Sequence, residues 1–365
     1  MEKIDLKGFL KRIFSGFFEK KIVWLLITSG IALTMYGIFP DVWRILAIQL
    51  LNAFYNLSLN ETPEKISWGL RLFLTATGAA LIVSGLWFYF KTRENIKLKK
   101  LLQIAHSSIE SVEYSKFDVD LDNYEVEQYR IAQGEELKTL SKVNLSHALR
   151  EQGKIKEKIL QRADGRDNVE ASYWGLAHIP LTFLMGYQIA DKLSTSFFEW
   201  NQNSLSWNRV KDNNTEYPEL LVSRQLNQSF EDVEDVVIKI GITYQVEDVT
   251  LNGLGLEGRD SYYLHLPSPT RNAIVSVRQL NEYQAVFRKT MDEINQYYPS
   301  LKRVHVFYSG QPSLAYRLGS CLSPRMDKEI LVYNYHSTSE PKYNWSINMK
   351  KEWNEVAIHV TGETI

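Results

Sequence analysis

The sequence predicts an α/β chain in which two fused, doubly wound units stand behind a two-helix membrane hairpin. Two observations predict it. The stretch Arg303–Met349 reads as strand, turn, helix, strand, strand, and a weaker copy of that pattern runs from Ala177 to Val210. Ahead of both copies lie two long apolar runs, 22–39 and 69–90, with Arg71 as their only charged residue.

From the N-terminus, residues 1–21 place Ile4, Phe9, Leu10, Ile13, Phe14, Phe17 and Phe18 near helical spacing with Lys and Arg between them. That pattern predicts an amphipathic lead-in lying on an anionic inner leaflet. At about 1.5 Å per residue, the run 22–39 crosses most of a ~30 Å hydrocarbon layer. The run 69–90 does the same, with Trp68 at its entry and Trp87 and Tyr89 at its exit as interfacial aromatics. Together they define a transmembrane hairpin over 22–90. Val42–Leu57, between the runs, is expected to rest in the outer interface or to re-enter the bilayer. Gly30 and Thr34, and Ala76, Ala80 and Ser84, recur at four-residue spacing, which predicts close helix packing within the chain or between chains. Lys3, Lys7, Lys11, Arg12, Lys20 and Lys21 precede the first run and Lys91, Arg93, Lys97, Lys99 and Lys100 follow the second, whereas Arg44 and Lys65 are the basic residues between them. The positive-inside rule therefore predicts two passes with both termini cytoplasmic.

Residues 91–165 read as a helical connector. Ile96, Leu98, Leu101, Leu102, Ile104, Ala105, Ile109 and Val112 suggest a helix continuing from the membrane, Phe117–Leu121 a strand, and Tyr129–Asp164 two helices. Spacer, oligomer contact and decoration of a sheet all remain open for this region. Residues 166–365 then carry the two units, at about 166–250 and 258–365. Val236, Ile238, Ile240 and Ile242 mark a strand apolar on much of both faces, and Arg278–Tyr298 an amphipathic helix stopped by Pro299.

Composition excludes more than it selects. Forty-two Lys and Arg nearly balance forty-three Asp and Glu, so no overall field favours a DNA or RNA polymer, and the single Cys321 argues against a Cys-rich metal site. The chain has no H-E-x-x-H, Walker-type, C-x-x-C or G-x-S-x-G motif, and the seven His are scattered. Neither a catalytic residue nor a metal or organic cofactor is therefore expected, although His178 and His305 sit at matching places in the two copies. Binding is better marked. Ser309, Gly310, Gln311, Pro312 and Ser313 join a strand to a helix N-terminus, where backbone N–H groups meet phosphate. Tyr333, Tyr335 and Trp345 in the later copy, and Trp200 and Trp207 in the earlier, stand at strand ends where a nucleobase can stack. Arg317 and Arg224 are candidates to neutralise phosphate.

The string Val304-His305-Val306-Phe307 with Gln311-Pro312-Ser313, the Leu318-Gly319 step, Val332-Tyr333-Asn334-Tyr335 and Tyr343-Asn344-Trp345 resemble the C-terminal half of SAVED domains. The resemblance covers roughly Tyr262–Met349 and, more faintly, Trp174–Thr250. SAVED domains are sensors of bacterial cyclic-oligonucleotide-based antiphage signalling (CBASS), built from two fused Rossmann-like (CARF-like) units. The resemblance implies an activating cyclic di- or trinucleotide made by a CD-NTase-type nucleotidyltransferase. It further implies ligand-induced homo-oligomers or filaments, and disruption of the bacterial inner membrane lipid by the hairpin, so that infection aborts. A membrane-tethered nuclease degrading such ligands, and a scaffold for a protein partner, are the rival readings.

Overall fold

The computed structural model describes residues 17–42, 45–46, 48–49, 67–95, 99–109, 112–114, 121, 124–164, 169–189, 192–350, 355–360 and 363–364. The chain divides into two compact units, Met1–Leu98 and Lys99–Ile365. Most of the predicted lead-in, most of the outer loop and all but the last residue of Phe117–Leu121 lie outside the described residues.

The first unit is a helical hairpin of α1 (Phe17–Ile38) and α2 (Trp68–Asn95). Within α2, Trp68–Phe90 is long and apolar enough to cross a membrane, with mean hydropathy 1.6; the apolar stretch of α1, Val23–Ile38, is shorter. Glycines let the helices touch. A Cβ on Gly30 would lie 2.8 Å from the Gly78 carbonyl, and one on Gly85 would lie 2.8 Å from the Ile27 side chain. Gly30 and Thr34 thus face the partner helix as their spacing predicts. Ala76, Ala80 and Ser84 do not: they are exposed on the opposite face of α2, and the inward residues are Gly78 and Gly85.

The second unit holds two sheets. The first is β1 (Lys99–Ser107), β2 (Tyr124–Ala132), β3 (Val169–Leu176), β4 (Thr195–Asn201) and β5 (Ser206–Arg209), ordered β2-β1-β3-β4-β5. All neighbours are parallel except the β4–β5 hairpin. Besides the single helical turn Gly134–Leu137, the helices of this sheet are α3 (Lys142–Ala163) and α4 (Ile179–Ile189). Ser141 caps α3, its Oγ accepting from Asn144 N at 3.1 Å.

Two sequence expectations change here. The connector 91–165 is not helical throughout, and the first unit begins at Lys99 rather than 166, because β1 is an interior strand of this sheet, between β2 and β3. Leu102 and Ile104 fill one core while Leu101 and Ala105 fill another with Trp174, Phe198 and Trp207. A strand buried on both faces is a continuous apolar run, which fits helical spacing equally well. Conversely, the apolar run after Ala177, expected as a strand, is α4. Its residues Pro180–Gly186 are all buried, so no polar face betrays the helical period.

The second sheet comprises β6 (Leu221–Gln225), β7 (Asp235–Gly241), β8 (Asp260–His265), β9 (Arg303–Ser309), β10 (Glu329–Tyr335), β11 (Tyr343–Asn348), β12 (Val356–Val360) and β13 (Glu363–Thr364), ordered β13-β12-β11-β10-β9-β7-β8-β6. Strand β7 is buried along its whole length, as its two-sided apolar pattern predicts. The amphipathic helix α5 (Val277–Tyr297) follows, burying Leu280, Tyr283, Phe287, Met291 and Ile294 at three- and four-residue steps and capped by Ser276. A short helix, α6 (Pro312–Ser320), follows β9, with Pro312 at its first position. Within this sheet β8-β7-β9-β10-β11 repeats the order and sense of β2-β1-β3-β4-β5.

The two repeats meet through α4 and α6. A Cβ on Gly186 would strike the Tyr316 carbonyl, and one on Gly319 would strike the Phe183 carbonyl. The same contact is thus made twice with the helices exchanged, which defines a local pseudo-twofold. Carrying the match back along the chain pairs Pro180 with Ser313 and His178 with Gln311. His178 is therefore not the counterpart of His305, as the sequence comparison of the two copies suggests.

Candidate functional site

In each repeat the first and third strands run side by side while their connections leave in opposite directions, so a crevice opens at their carboxyl ends. In the first repeat this point is made by Ser108, after β1, and His178, after β3. Ser108 Oγ lies 2.7 Å from His178 Nδ1, and it also accepts from His178 N at 2.7 Å. Burial, and then the neighbouring His336, push the His178 ring down to about 4, so it is neutral at physiological pH.

In the second repeat the loop after β7 closes over Ser309. Ile242 N and Thr243 N donate to the Ser309 carbonyl at 2.8 and 3.0 Å, and Tyr244 N donates to Ser309 Oγ at 3.2 Å. Gly310 follows, where a Cβ would strike the Tyr308 hydroxyl. Gln311 sits at the N-cap of α6 without capping it. Its Oε1 accepts instead from Ile274 N at 2.6 Å, tying down the 272–275 loop, and its main-chain carbonyl accepts from Tyr308 Oη at 2.7 Å.

Between the repeats lies a cleft of about 280 Å³, bounded by the β4–β5 hairpin on one side and by Gln311 and the 272–275 loop on the other. Glu199, Trp200, Asn208, Arg209 and Asn272 line it. Glu199 occupies the place the sequence reserves for a phosphate, since Ser313 N, at the N-terminus of α6, donates to its Oε1 at 3.0 Å. Burial pushes this carboxyl up to about 7, against the opposing pull of Ser313. A second cavity of about 240 Å³ lies by the 248–259 segment at the amino ends of β7 and β8, and none of the predicted site residues lines it.

The predicted residues separate into groups. Gln311 and Trp200 line the cleft, while Ser309, Gly310, Pro312 and Ser313 build the turn beneath Gln311. His178 lies at the other switch point with its ring 5.8 Å from Trp345, and Tyr335 is exposed at the end of β10. Four residues are placed away from the cleft. Tyr333 is in the core on the outer face of the second sheet, stacked on Phe307 at 4.5 Å with its hydroxyl 2.8 Å from His305 Nδ1. Trp207 is fully buried against Tyr114 and Trp174 and donates to the Glu113 carbonyl. Arg224, on edge strand β6, pairs with Glu293 at 2.5 Å. Arg317, in the body of α6, donates to Asn281. Strand alternation accounts for Tyr333, which faces the side opposite to its neighbours Val332 and Asn334, while Trp207 shares a face with Trp200, its partner across the hairpin, and packs with it at 5.4 Å.

Sequence reasoning missed Ser108, Glu199, Asn208, Arg209 and Asn272. Glu199 left a signal, a lone acid inside the aromatic strand Ser196-Phe197-Phe198-Glu199-Trp200. Ser108 left none, because it falls in the segment taken for a connector.

The model of the family described as "SMODS-associated and fused to various effectors sensor domain" (SAVED) matches residues 152–349. Among solved structures, the Acinetobacter baumannii Cap4 SAVED/CARF-domain containing receptor with the cyclic trinucleotide 2'3'3'-cAAA is similar at TM-score 0.45 and 10% identity, over 73% of this chain and 57% of that one. The Moraxella osloensis Cap4 SAVED/CARF-domain containing receptor is similar at TM-score 0.40 and 11% identity, over 83% of this chain and 60% of that one. This chain thus spans under two thirds of the length of those receptors. No match is found among curated protein sequences.

Proposed function

Because the chain belongs to the SAVED family of sensor domains, we propose that its Lys99–Ile365 unit senses a cyclic di- or trinucleotide and that the hairpin is the membrane-borne effector it controls. The observation that carries this reading is the cleft itself, whose walls come from both repeats. A ligand seated there touches the first repeat through Glu199 and Asn208 and the second through Asn272 and Gln311, so occupancy favours one arrangement of the two. Amide side chains suit the edges of nucleobases.

Binding rather than cleavage is the better reading. Ser108 and His178 have the spacing of a nucleophile and a base, but a ring held near 4 is a weak base at pH 7, and the Ser108 oxygen is already engaged by the His178 N–H. In the proposed sequence of events a CD-NTase-type nucleotidyltransferase supplies the ligand. Occupied sensors then associate into a homo-oligomer or filament, and the gathered hairpins, in two passes through the inner membrane with cytoplasmic termini, breach it and abort infection. The apolar runs carry no charge deep within them, so a single hairpin has no conducting path, and assembly raises the local concentration of spans.

Calorimetry on the full chain in nanodiscs against cyclic di-, tri- and tetranucleotides tests the sensor. One ring should bind per chain, and Asn208→Ala should weaken it about tenfold, or about 1.4 kcal/mol, with the melting temperature of the empty protein unchanged. Absence of heat with every ring removes the sensor reading. Conversion of the ring to linear nucleotide during incubation supports the nuclease instead.

A further inference from the structure

We infer that Glu199 reads a base of the bound ring, taking the paired N1–H and N2–H₂ donors of a guanine, so that the ligand contains at least one guanine. The inference rests on the proposed reading of the cleft as the cyclic-oligonucleotide site.

The geometry first removes phosphate. Glu199 is the acidic residue of the cleft lining, and its Oε1 holds the Ser313 N–H at 3.0 Å, so the end of α6 that would draw an anion already has one. A phosphate brought against it meets like charge in a desolvated place. Whatever part of the ligand faces Glu199 in its ionised form, which prevails above about pH 7, must therefore donate hydrogen bonds. An ionised carboxylate only accepts, and its planar fork matches two adjacent in-plane donors. On the Watson–Crick edges, guanine alone offers such a pair. Adenine and cytosine each set one amino donor beside a ring nitrogen that accepts, uracil sets one N–H between two carbonyls, and a ribose hydroxyl gives a single donor. Asn208, opposite Glu199 across the hairpin, supplies a further amide beside the same position.

The pseudo-twofold shows that this reader is built once. Tyr173 lies beside Phe197, and its match Val306 lies beside Val332, so the counterpart of Glu199 is Asn334. The counterpart of Ser313 is Pro180, which has no N–H with which to hold a carboxylate. That half of the molecule presents His178 and Trp345 instead. The two halves differ in chemistry, as a ring of mixed bases requires.

The groups that face Glu199 are Tyr173 on β3 and Tyr308 on β9, both pushed well above the usual tyrosine range by burial, and the N-terminus of α6. None of them ionises between pH 6 and 8, so a change in affinity there reports Glu199. The test compares, for the full chain in nanodiscs, a cyclic tri-adenylate with the same ring carrying one guanylate. The guanine ring should bind at least tenfold tighter, with affinity rising from pH 6 to 8 as the carboxyl ionises. Glu199→Gln should erase the preference between the two rings, and Glu199→Asp should keep part of it. Equal or tighter binding of the all-adenine ring overturns the inference and leaves the sensor standing. Affinity that falls between pH 6 and 8 also overturns it, since a protonated Glu199 would then face adenine or phosphate. If no ring of any composition binds, the proposed function fails and this inference with it.

Discussion

Glu199 and Gln311 face the same cleft and illustrate opposite economies. With its carboxyl raised to about 7 from an ordinary value of 4.5, Glu199 binds more protons in the folded chain than in the unfolded one between those values. Stability is therefore lost as pH rises from 4.5 through 7, and at pH 8 the empty protein carries the full penalty of the buried charge. Glu199→Gln should stabilise the empty protein at pH 8 by on the order of 1–2 kcal/mol and leave it unchanged at pH 4, read from urea melts at both pH values. Equal stability of the two proteins at pH 8 would mean the carboxyl is solvated. Gln311 works the other way. Its side chain satisfies the buried Ile274 N–H, so Gln311→Ala should cost about 1–3 kcal/mol and loosen the 272–275 loop. The Gly310-Gln311 pair stands out in the sequence because an ordinary capped turn does not explain it, but its long-range partner in the 272–275 loop is invisible there.

At the scale of elements, what could be read depended on which faces are buried. Strands β9, β10 and β11 and helix α5 were legible, the helix because one face is wet and its apolar residues keep the helical period. Strand β1 and helix α4 were misread for the same physical reason, burial on all sides, which erases the period that tells helix from strand. The contact between α4 and α6 was also illegible, since Gly186 and Gly319 announce a close approach only once the partner backbone is known. Gly186→Val would place a side chain against the Tyr316 carbonyl. Such overpacking should cost about 3 kcal/mol, seen as a lower denaturation midpoint. The hairpin obeys the same logic. Gly78→Leu should spread α1 from α2, whereas Ala80→Leu, on the outer face, should leave disulfide crosslinking between introduced cysteines on α1 and α2 unchanged.

At the scale of the whole molecule, the chain repeats one strand order twice and gives the copies different chemistry. The repeat was legible in the sequence as two strings ending in tryptophan, but its register was not. Matching the histidines aligns His178 with His305, whereas the shared contact of Gly186 and Gly319 aligns His178 with Gln311. The difference decides where a ligand is sought. His305 is buried on the outer face against Asp235, at 3.1 Å, while His178 and Gln311 stand at the two crevices from which a single ring would be held. The coupling of such a ring to a membrane hairpin is the central claim, and native mass spectrometry of the full chain, purified from cells that co-express a CD-NTase-type nucleotidyltransferase, tests it most directly. The predicted spectrum shows one intact cyclic oligonucleotide per chain, on assemblies larger than those formed without the synthase. A chain that emerges empty, or carrying only linear nucleotide, contradicts it.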